Sequence, residues 1–282
     1  MRIEKVGVIG AGQMGAGIAQ VCASIGKLVT LCDIKQDFVD AGMATISRNL
    51  KRSASKERIS QKQMNQTLGN VGTTLEKNEL KDCDIIIEAI IEDVDIKKSL
   101  FSYLGKICSS NTILASNTSS IPIGILAEAS RRPDKVVGMH FMNPVPVMKL
   151  VEVIRAKTTS DDTFDTTFNL AEKLHKVPVL VNDFPGFVSN RILLPMLNEA
   201  MFCVMEGVAE PKAVDTVMKL GMSHPMGPLT LADFIGLDTC LAIMQVLHKD
   251  MNDDKYRPCP LLEEMVADGK FGRKSGEGFY KY

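Results

Sequence analysis

Two stretches of the 282-residue sequence combine residue types and spacing that could do chemistry. The first runs from Val136 to Glu152: an apolar strand ending at His140, a loop stiffened by Pro144 and Pro146, and a second apolar strand carrying Glu152. Proline lacks the N–H that a central strand donates and fixes its own φ, so Asn143 to Val147 is expected to be loop. His140 then stands at a strand end, where α/β sheets display their chemistry. An imidazole titrates near neutral pH and can give or take a proton, yet a single histidine in such a place also serves structural purposes. The second stretch is Gly10-Ala-Gly-Gln-Met-Gly15, directly after the strand Lys5 to Ile9 and opening a helix from Met14 to Ile25. Gly10 allows a tight turn, Gly12 lets the backbone approach a pyrophosphate, and Gly15 lets the helix pack on the strand.

The elements around these stretches must position them. After Gly26 a second strand, Leu28 to Cys32, ends at Asp33, which completes a strand–turn–helix–strand unit with a terminal acid. The helix N-terminus supplies open N–H groups and partial positive charge to phosphates, and Asp33 would accept hydrogen bonds from a ribose while repelling a 2′-phosphate, which favours NAD over NADP. From Gln36 the positions Val39, Met43, Ile46 and Leu50 form a helical stripe. The basic run Lys51 to Lys62 that follows fits either a solvated helix face or a clamp for a phosphorylated handle on a substrate. Ile85 to Ala89 reads as a buried strand, Val94 to Ile107 as a helix, and Ile113 to Ser116 as a strand ending in Asn117-Thr-Ser-Ser120. Those hydroxyl and amide groups fit a helix cap as well as a ligand contact. A helix from Asp162 to His175 and a strand from Val177 to Val181 finish the sheet. Asp183-Phe-Pro-Gly186 punctuates the chain, and only helical patterns follow.

The expected fold is therefore an α/β Rossmann-type N-terminal domain over 1–184, mostly parallel with helices on both faces and a helical insertion near 47–68, plus an all-α C-terminal domain over 185–282. The C-terminal apolar residues Leu193, Leu194, Met196, Leu197, Phe202, Leu241, Ile243, Met244 and Leu247 exceed what one small helical unit needs and suggest a face for a second subunit. With 33 basic and 34 acidic residues the charge is nearly balanced, which argues against a nucleic-acid partner. The start carries no signal-peptide pattern, and the longest apolar run is too short to span a bilayer, so no membrane is expected. Seven scattered cysteines without a Cys-x-x-Cys pair suit a reducing cytoplasmic setting, and four histidines far apart in sequence suggest no metal site.

Six motifs in order resemble the short-chain L-3-hydroxyacyl-CoA dehydrogenase family over essentially the whole chain. They are Gly10 to Gln20, Ala115 to Ser120, Gly138 to Glu152, Pro185 to Arg191, His224 to Pro228 and Gly272 to Tyr280. The likeness is strongest to bacterial members acting on acetoacetyl-CoA and 3-hydroxybutyryl-CoA in butyrate and butanol formation. It implies a catalytic His140 partnered by Glu152, with Ser119 and Asn190 binding substrate. It implies NAD(H) contacts at Gly10, Gly12, Gln13, Met14, Gly15, Asp33, Glu92, Lys97, Ser119, Asn143 and Lys274, and places Lys56 where the family holds coenzyme A phosphates. The apolar C-terminal residues and the unpaired cysteines, taken separately, lead to the expectation of a cytoplasmic homodimer built through the C-terminal helices. A dehydrogenase of free β-hydroxyacids would normally use a lysine base and leave the basic run without a role. A fold kept for non-catalytic purposes would not need Ser119, His140, Glu152 and Asn190 together.

Overall fold

The computed structural model describes residues 1–282 and divides into two compact units, Met1–Asp183 and Phe184–Tyr282. The first unit is an eight-stranded sheet flanked by helices. Its elements, in chain order, are β1 (Lys5–Ile9), α1 (Gln13–Ser24), β2 (Leu28–Cys32), α2 (Gln36–Ser55), α3 (Gln61–Gly69), β3 (Val71–Thr74), β4 (Ile85–Glu88), α4 (Val94–Ile107), β5 (Ile113–Ser116), α5 (Ile123–Ser130), β6 (Val136–Phe141), β7 (Leu150–Arg155), α6 (Asp161–Lys173) and β8 (Val177–Asn182). The strand order is β3-β2-β1-β4-β5-β6-β7-β8, and every neighbouring pair is parallel except β6 and β7.

The chain winds from β1 outward to β3, then returns to the other side of β1 with β4. That reversal leaves a crevice beyond the C-terminal ends of β1 and β4, where open α/β sheets bind ligands. Register carries Ile9 beside Cys32 and Glu88, and Glu88 beside Ser116, so these strands end together at the crevice. Strands β4, β5 and β6 are buried along their whole length, as strands covered on both faces must be.

Several local expectations shift. Strand β6 continues through Phe141, so His140 sits within a paired strand rather than at its free end. The helical insertion has no boundary at residue 47: α2 is one helix from Gln36, its stripe of Val39, Gly42, Ile46 and Leu50 facing the core. It stops at Ser55, and α3 restarts behind a capping box in which Ser60 and Gln63 satisfy each other's backbone N–H. Strand β3 was not legible; its four residues include Gly72 and lack alternation, and only pairing with β2 makes them a strand.

Helix α5 has no cap of its own, because Pro122 precedes it. The carboxylate of Asp183 fills that role from the far end of the sheet, accepting the Ile123 and Gly124 N–H groups at 2.9 and 2.7 Å.

The second unit holds α7 (Ser189–Met205), α8 (Pro211–Gly221), α9 (Pro228–Ile235), α10 (Leu237–Met251) and α11 (Pro260–Ala267). Gly236, at φ 105°, separates α9 from α10 in a conformation that side chains disfavour. The apolar residues expected to face a second subunit are used differently. Leu194, Leu197, Met244 and Leu247 are buried in this unit's own core, and Leu193, Met196, Phe202, Leu241 and Ile243 pack against it. Sequence counts apolar residues without saying which face each occupies. Exposed apolar positions of this unit include Ile192, Val217, Leu220 and Met222, on or just after α7 and α8.

Two buried carboxylates bind the C-terminal segment to the unit. Asp215 accepts from the Leu229 and Thr230 N–H groups and the Tyr280 hydroxyl, and Asp233 accepts from the Phe279 and Tyr280 N–H groups. No single helix is long and apolar enough to cross a membrane.

Candidate active site

Antiparallel pairing of β6 and β7 sets His140 directly opposite Glu152. Directly opposed residues share a face, and their side chains meet. The His140 Nδ1 lies 2.7 Å from Glu152 Oε2, with His140 7% and Glu152 1% exposed. An ionised carboxylate only accepts hydrogen bonds, so Nδ1 carries the proton in this pair and Nε2 is left to face the site. There Ser119 Oγ lies 3.1 Å from Nε2. Ser119 comes from the loop between β5 and α5, and that loop is tied to β6 by Phe141 N–H donating to Asn117 Oδ1 at 2.9 Å.

Behind Ser119 stands a second layer that the sequence did not reveal in full. Glu88, at the end of β4, is fully buried, as is Lys97 of α4; Lys97 Nζ lies 2.5 Å from Glu88 Oε1 and 3.1 Å from Glu92 Oε2. Glu88 also accepts from the Ser116 hydroxyl at 2.6 Å and Ile90 N–H at 2.8 Å. Glu92 in turn accepts the backbone N–H of Ser119 and of Ser120, at 3.0 and 3.1 Å, and the Thr118 hydroxyl. Burial pushes the Glu92 carboxyl up, but the Lys97 charge and the hydroxyl hydrogen bonds outweigh it, holding the group below the usual carboxylate range. One ammonium thus serves two carboxylates, and the loop bearing Ser119 hangs from one of them. The only sequence signal for Glu88 was a charge interrupting the apolar run after Ile85.

The glycine turn lies at the neighbouring strand end. Gly10 has φ 101°, and a Cβ there would come within 2.4 Å of the Ala89 carbonyl oxygen; one on Gly15 would come within 1.7 Å of the Gly10 carbonyl oxygen. Only glycine fits at either position. Gly12, by contrast, faces open space and caps α1 with no side-chain acceptor, so the first N–H groups of the helix point outward for an anion. Asp33 locks this turn, accepting Ala11 N–H at 2.6 Å and Ile34 N–H at 2.6 Å. It lines a cavity of about 650 Å³ whose apolar wall is Leu75, Ile90, Ile96 and Leu100 and whose polar groups include Asp33, Glu76, Lys77 and Asp95, a mixture suited to an adenosine moiety. Burial raises the Cys32 thiol on this cavity to about 11, which keeps it a neutral, unreactive wall. The residues present therefore fit a bound dinucleotide.

On the other side of Gly12 and Gln13 a groove of about 700 Å³ runs to the basic end of α2. Asn143 and Pro146 form one wall; Arg48, Arg52 and Lys56 line the other. Lys56 caps the C-terminal end of α2; Arg52 belongs to the basic run beginning at Lys51, whereas Arg48 precedes that run and joins the wall only through helical spacing. Of the expected site residues, the first unit thus gathers the glycine turn, Asp33, Lys56, Glu92, Lys97, Ser119, His140, Asn143 and Glu152 along one end of its sheet. Met14 is partly buried and packs against the core. Asn190 and Lys274 belong to the second unit, Asn190 in the first turn of α7 and Lys274 in the C-terminal segment, paired with Asp238.

Comparison with known proteins agrees with this arrangement. Residues 5–184 match the NAD binding domain of 3-hydroxyacyl-CoA dehydrogenase, and residues 186–282 match its C-terminal domain. A probable 3-hydroxybutyryl-CoA dehydrogenase of Deinococcus radiodurans is 60% identical, the alignment covering 99% of this chain and 100% of that protein. The human mitochondrial hydroxyacyl-coenzyme A dehydrogenase is 42% identical over 99% of this chain and 91% of its own. Among solved structures, (S)-3-hydroxybutyryl-CoA dehydrogenase from Ralstonia eutropha superposes with a TM-score of 0.97 at 48% identity, covering 100% of this chain and 99% of that one. A glycine turn shaped for a dinucleotide and a buried histidine–carboxylate pair at the same sheet end are what such an enzyme requires, and the chain belongs to the 3-hydroxyacyl-CoA dehydrogenase family.

Proposed function

We propose that the chain interconverts (S)-3-hydroxybutyryl-CoA and acetoacetyl-CoA with NAD(H), using His140 as its acid and base. The observation that carries this reading is the relay Ser119–His140–Glu152 at the crevice end of the sheet, with the dinucleotide cradle beside it. When bound, the cofactor exchanges a hydride between nicotinamide C4 and the substrate's third carbon. The chain's own residues handle the proton. In the reducing direction His140 gives its Nε2 proton to the oxygen that becomes the hydroxyl, and in the oxidising direction Nε2 takes that proton back. Glu152 keeps Nδ1 protonated throughout and stabilises the imidazolium. Ser119 offers a neutral hydrogen bond at the reacting oxygen, which stabilises developing charge without competing for the proton.

The names of the Deinococcus and Ralstonia relatives support the four-carbon substrate. Asn190 as a substrate contact and Lys274 as a cofactor contact rest on their places in the matching motifs. The same holds for the cofactor contacts of Gln13, Met14, Glu92, Lys97 and Asn143. The exposed Ile192, Val217, Leu220 and Met222 support a homodimer formed through the C-terminal helices. Seven free thiols support a cytoplasmic protein.

The test mixes acetoacetyl-CoA with NADH and follows loss of nicotinamide absorbance. NADH should outperform NADPH, since Asp33 repels a 2′-phosphate; a preference for NADPH, or turnover of free acetoacetate at the rate of the thioester, would overturn the reading. We assign the Arg48, Arg52 and Lys56 wall to the phosphates of coenzyme A. Reversing one charge there with Lys56→Glu should raise KM for the thioester about tenfold, the equivalent of ~1.4 kcal/mol, with kcat nearly unchanged. Added salt should narrow the gap between variant and parent, because the contact is exposed. A KM equal to the parent's would return the basic run to a solvated face.

A further inference from the structure

Lys176 has no part in any of the roles above. It follows α6 at the turn into β8 and is only 9% exposed, yet it makes no ion pair with any carboxylate. Its ammonium donates instead to two backbone carbonyls, Val145 at 2.5 Å and Met148 at 2.7 Å. Burial pushes this ammonium below the ordinary lysine range, so the charge is kept here only because those carbonyls replace water. Both acceptors belong to the loop between β6 and β7, the loop that follows His140 and carries Asn143.

The same loop is pressed from its other side. A Cβ on Gly17 of α1 would come within 2.8 Å of Val145 Cβ and 3.5 Å of Pro146 Cδ, so helix and loop meet with no room for a methyl group. Within the loop, Val147 and Met148 N–H groups both donate to the Pro144 carbonyl. The loop residues from Asn143 to Val147 are one wall of the groove whose opposite wall is Arg48, Arg52 and Lys56. The position of the loop therefore sets how wide that groove is, and Lys176 is the side chain that fixes the loop from beneath.

We propose that Lys176 is a positioning residue for thioester binding: its ammonium clamps the Asn143–Met148 loop against α1 and so sets the width of the groove between the dinucleotide cradle and the basic wall of α2. This rests on the groove being the place of the coenzyme A thioester. The clamp is selective for binding over chemistry. His140 and Glu152 are held by the β6–β7 ladder itself and stay in register when the loop loosens, whereas the wall they lead into moves.

Lys176→Met keeps the aliphatic stem and removes the donors. In the protein without substrate, amide hydrogen exchange in the loop at Val147 and Met148 should quicken about tenfold or more, with exchange in β6 and β7 unchanged. In turnover, KM for acetoacetyl-CoA should rise about fivefold or more while kcat stays within about twofold. Lys176→Arg retains donors for both carbonyls and should restore the protection and the KM. Gly17→Ala pushes Val145 away from the opposite side and should raise the same KM without touching Lys176. Unchanged loop exchange in K176M overturns the clamp, and faster exchange with an unchanged KM overturns its role in binding. A fall in kcat and stability together that arginine does not rescue would make Lys176 merely structural, and so overturn the proposal too. Should K176M fail to accumulate as folded protein, a KM in K176R equal to the parent's supports the clamp, and one raised as far as in G17A overturns it. If the parent enzyme itself does not turn over acetoacetyl-CoA, the functional reading fails, while the exchange comparison still decides whether Lys176 holds the loop.

Discussion

Replacing His140 with glutamine should reduce kcat for acetoacetyl-CoA reduction by about a thousandfold, within the range that a positioned acid or base contributes. Glutamine approximates the size of imidazole and can still hydrogen-bond to Glu152, so the β6–β7 pair should keep its register. What is lost is a group that can both give and take a proton at the position now held by Nε2. The NADH dissociation constant, read from nicotinamide fluorescence, should stay within about twofold of the parent's, because the cradle at Gly10 to Gly15 and Asp33 lies on other strands. The pH profile of turnover should flatten in the variant, since the glutamine amide neither gives nor takes a proton at that position. Turnover within a few-fold of the parent's would remove His140 from the chemistry. Equal losses of turnover and of NADH binding would mean that His140 holds the cofactor rather than the proton.

A second large effect is expected from Lys97→Met. Lys97 and Glu88 are both fully buried, and removing the ammonium leaves Glu88 as a buried charge without its ion-pair partner. Breaking a buried pair from one side costs about 3–5 kcal/mol, which for a unit of this size lowers Tm by roughly 10 °C. The second change, Glu88→Gln, should recover much of that loss, because an amide can keep the Ser116 and Ile90 contacts without an unpaired charge. Function should not recover with stability. In both the single and the double variant Glu92 has lost Lys97, and the loop that carries Ser119 on Glu92 is held less firmly. Calorimetry on the parent, K97M and the double variant closes the cycle. A single-variant Tm within about 2 °C of the parent's would show that Glu88 finds solvent or another partner, contrary to the geometry.

The two predictions differ in how far the sequence alone could have led to them. The sequence offers His140 and Glu152 on two apolar strands joined by the Pro144 and Pro146 loop, and the family resemblance implies that they are partners. What the sequence left open was whether the two side chains would share a face. A shift of one residue in register would place them on opposite sides of the sheet, and the observed pairing is fixed by the ladder and by the buried residues on either side. Glu88 and Lys97 lie nine residues apart, on a strand and the following helix. No local pattern says that a lysine on α4 turns inward to two acids instead of outward to water.

Lys176 carries no more local signal, standing in a charged turn beside Lys173 and His175 that reads as surface. The apolar residues of α7 and α10 gave the opposite error. Their number is right for a large buried area, but α9 and α11 cover Leu194, Leu197, Met244 and Leu247 within the unit, so the count alone does not say which apolar residues are left for a second subunit.

The sequence by itself determined the elements governed by neighbours in the chain. The glycine turn between β1 and α1 is one, because Gly10 takes a positive φ and a Cβ on Gly15 would meet the Gly10 carbonyl oxygen. The acid at the end of β2, the proline-stiffened loop after His140 and the break at Asp183 to Gly186 are others. Each depends on dihedral preferences and periodicities spanning a few residues. The tertiary structure decided everything that depends on which strands lie side by side. It brought Ser119 to His140, gave one ammonium to Glu88 and Glu92, set Arg48 and Lys56 across a groove from Asn143, and turned Lys176 under the loop. Sheet order and register are settled by burying the whole apolar surface at once, so the partners of a buried charge follow from the packing of the complete unit.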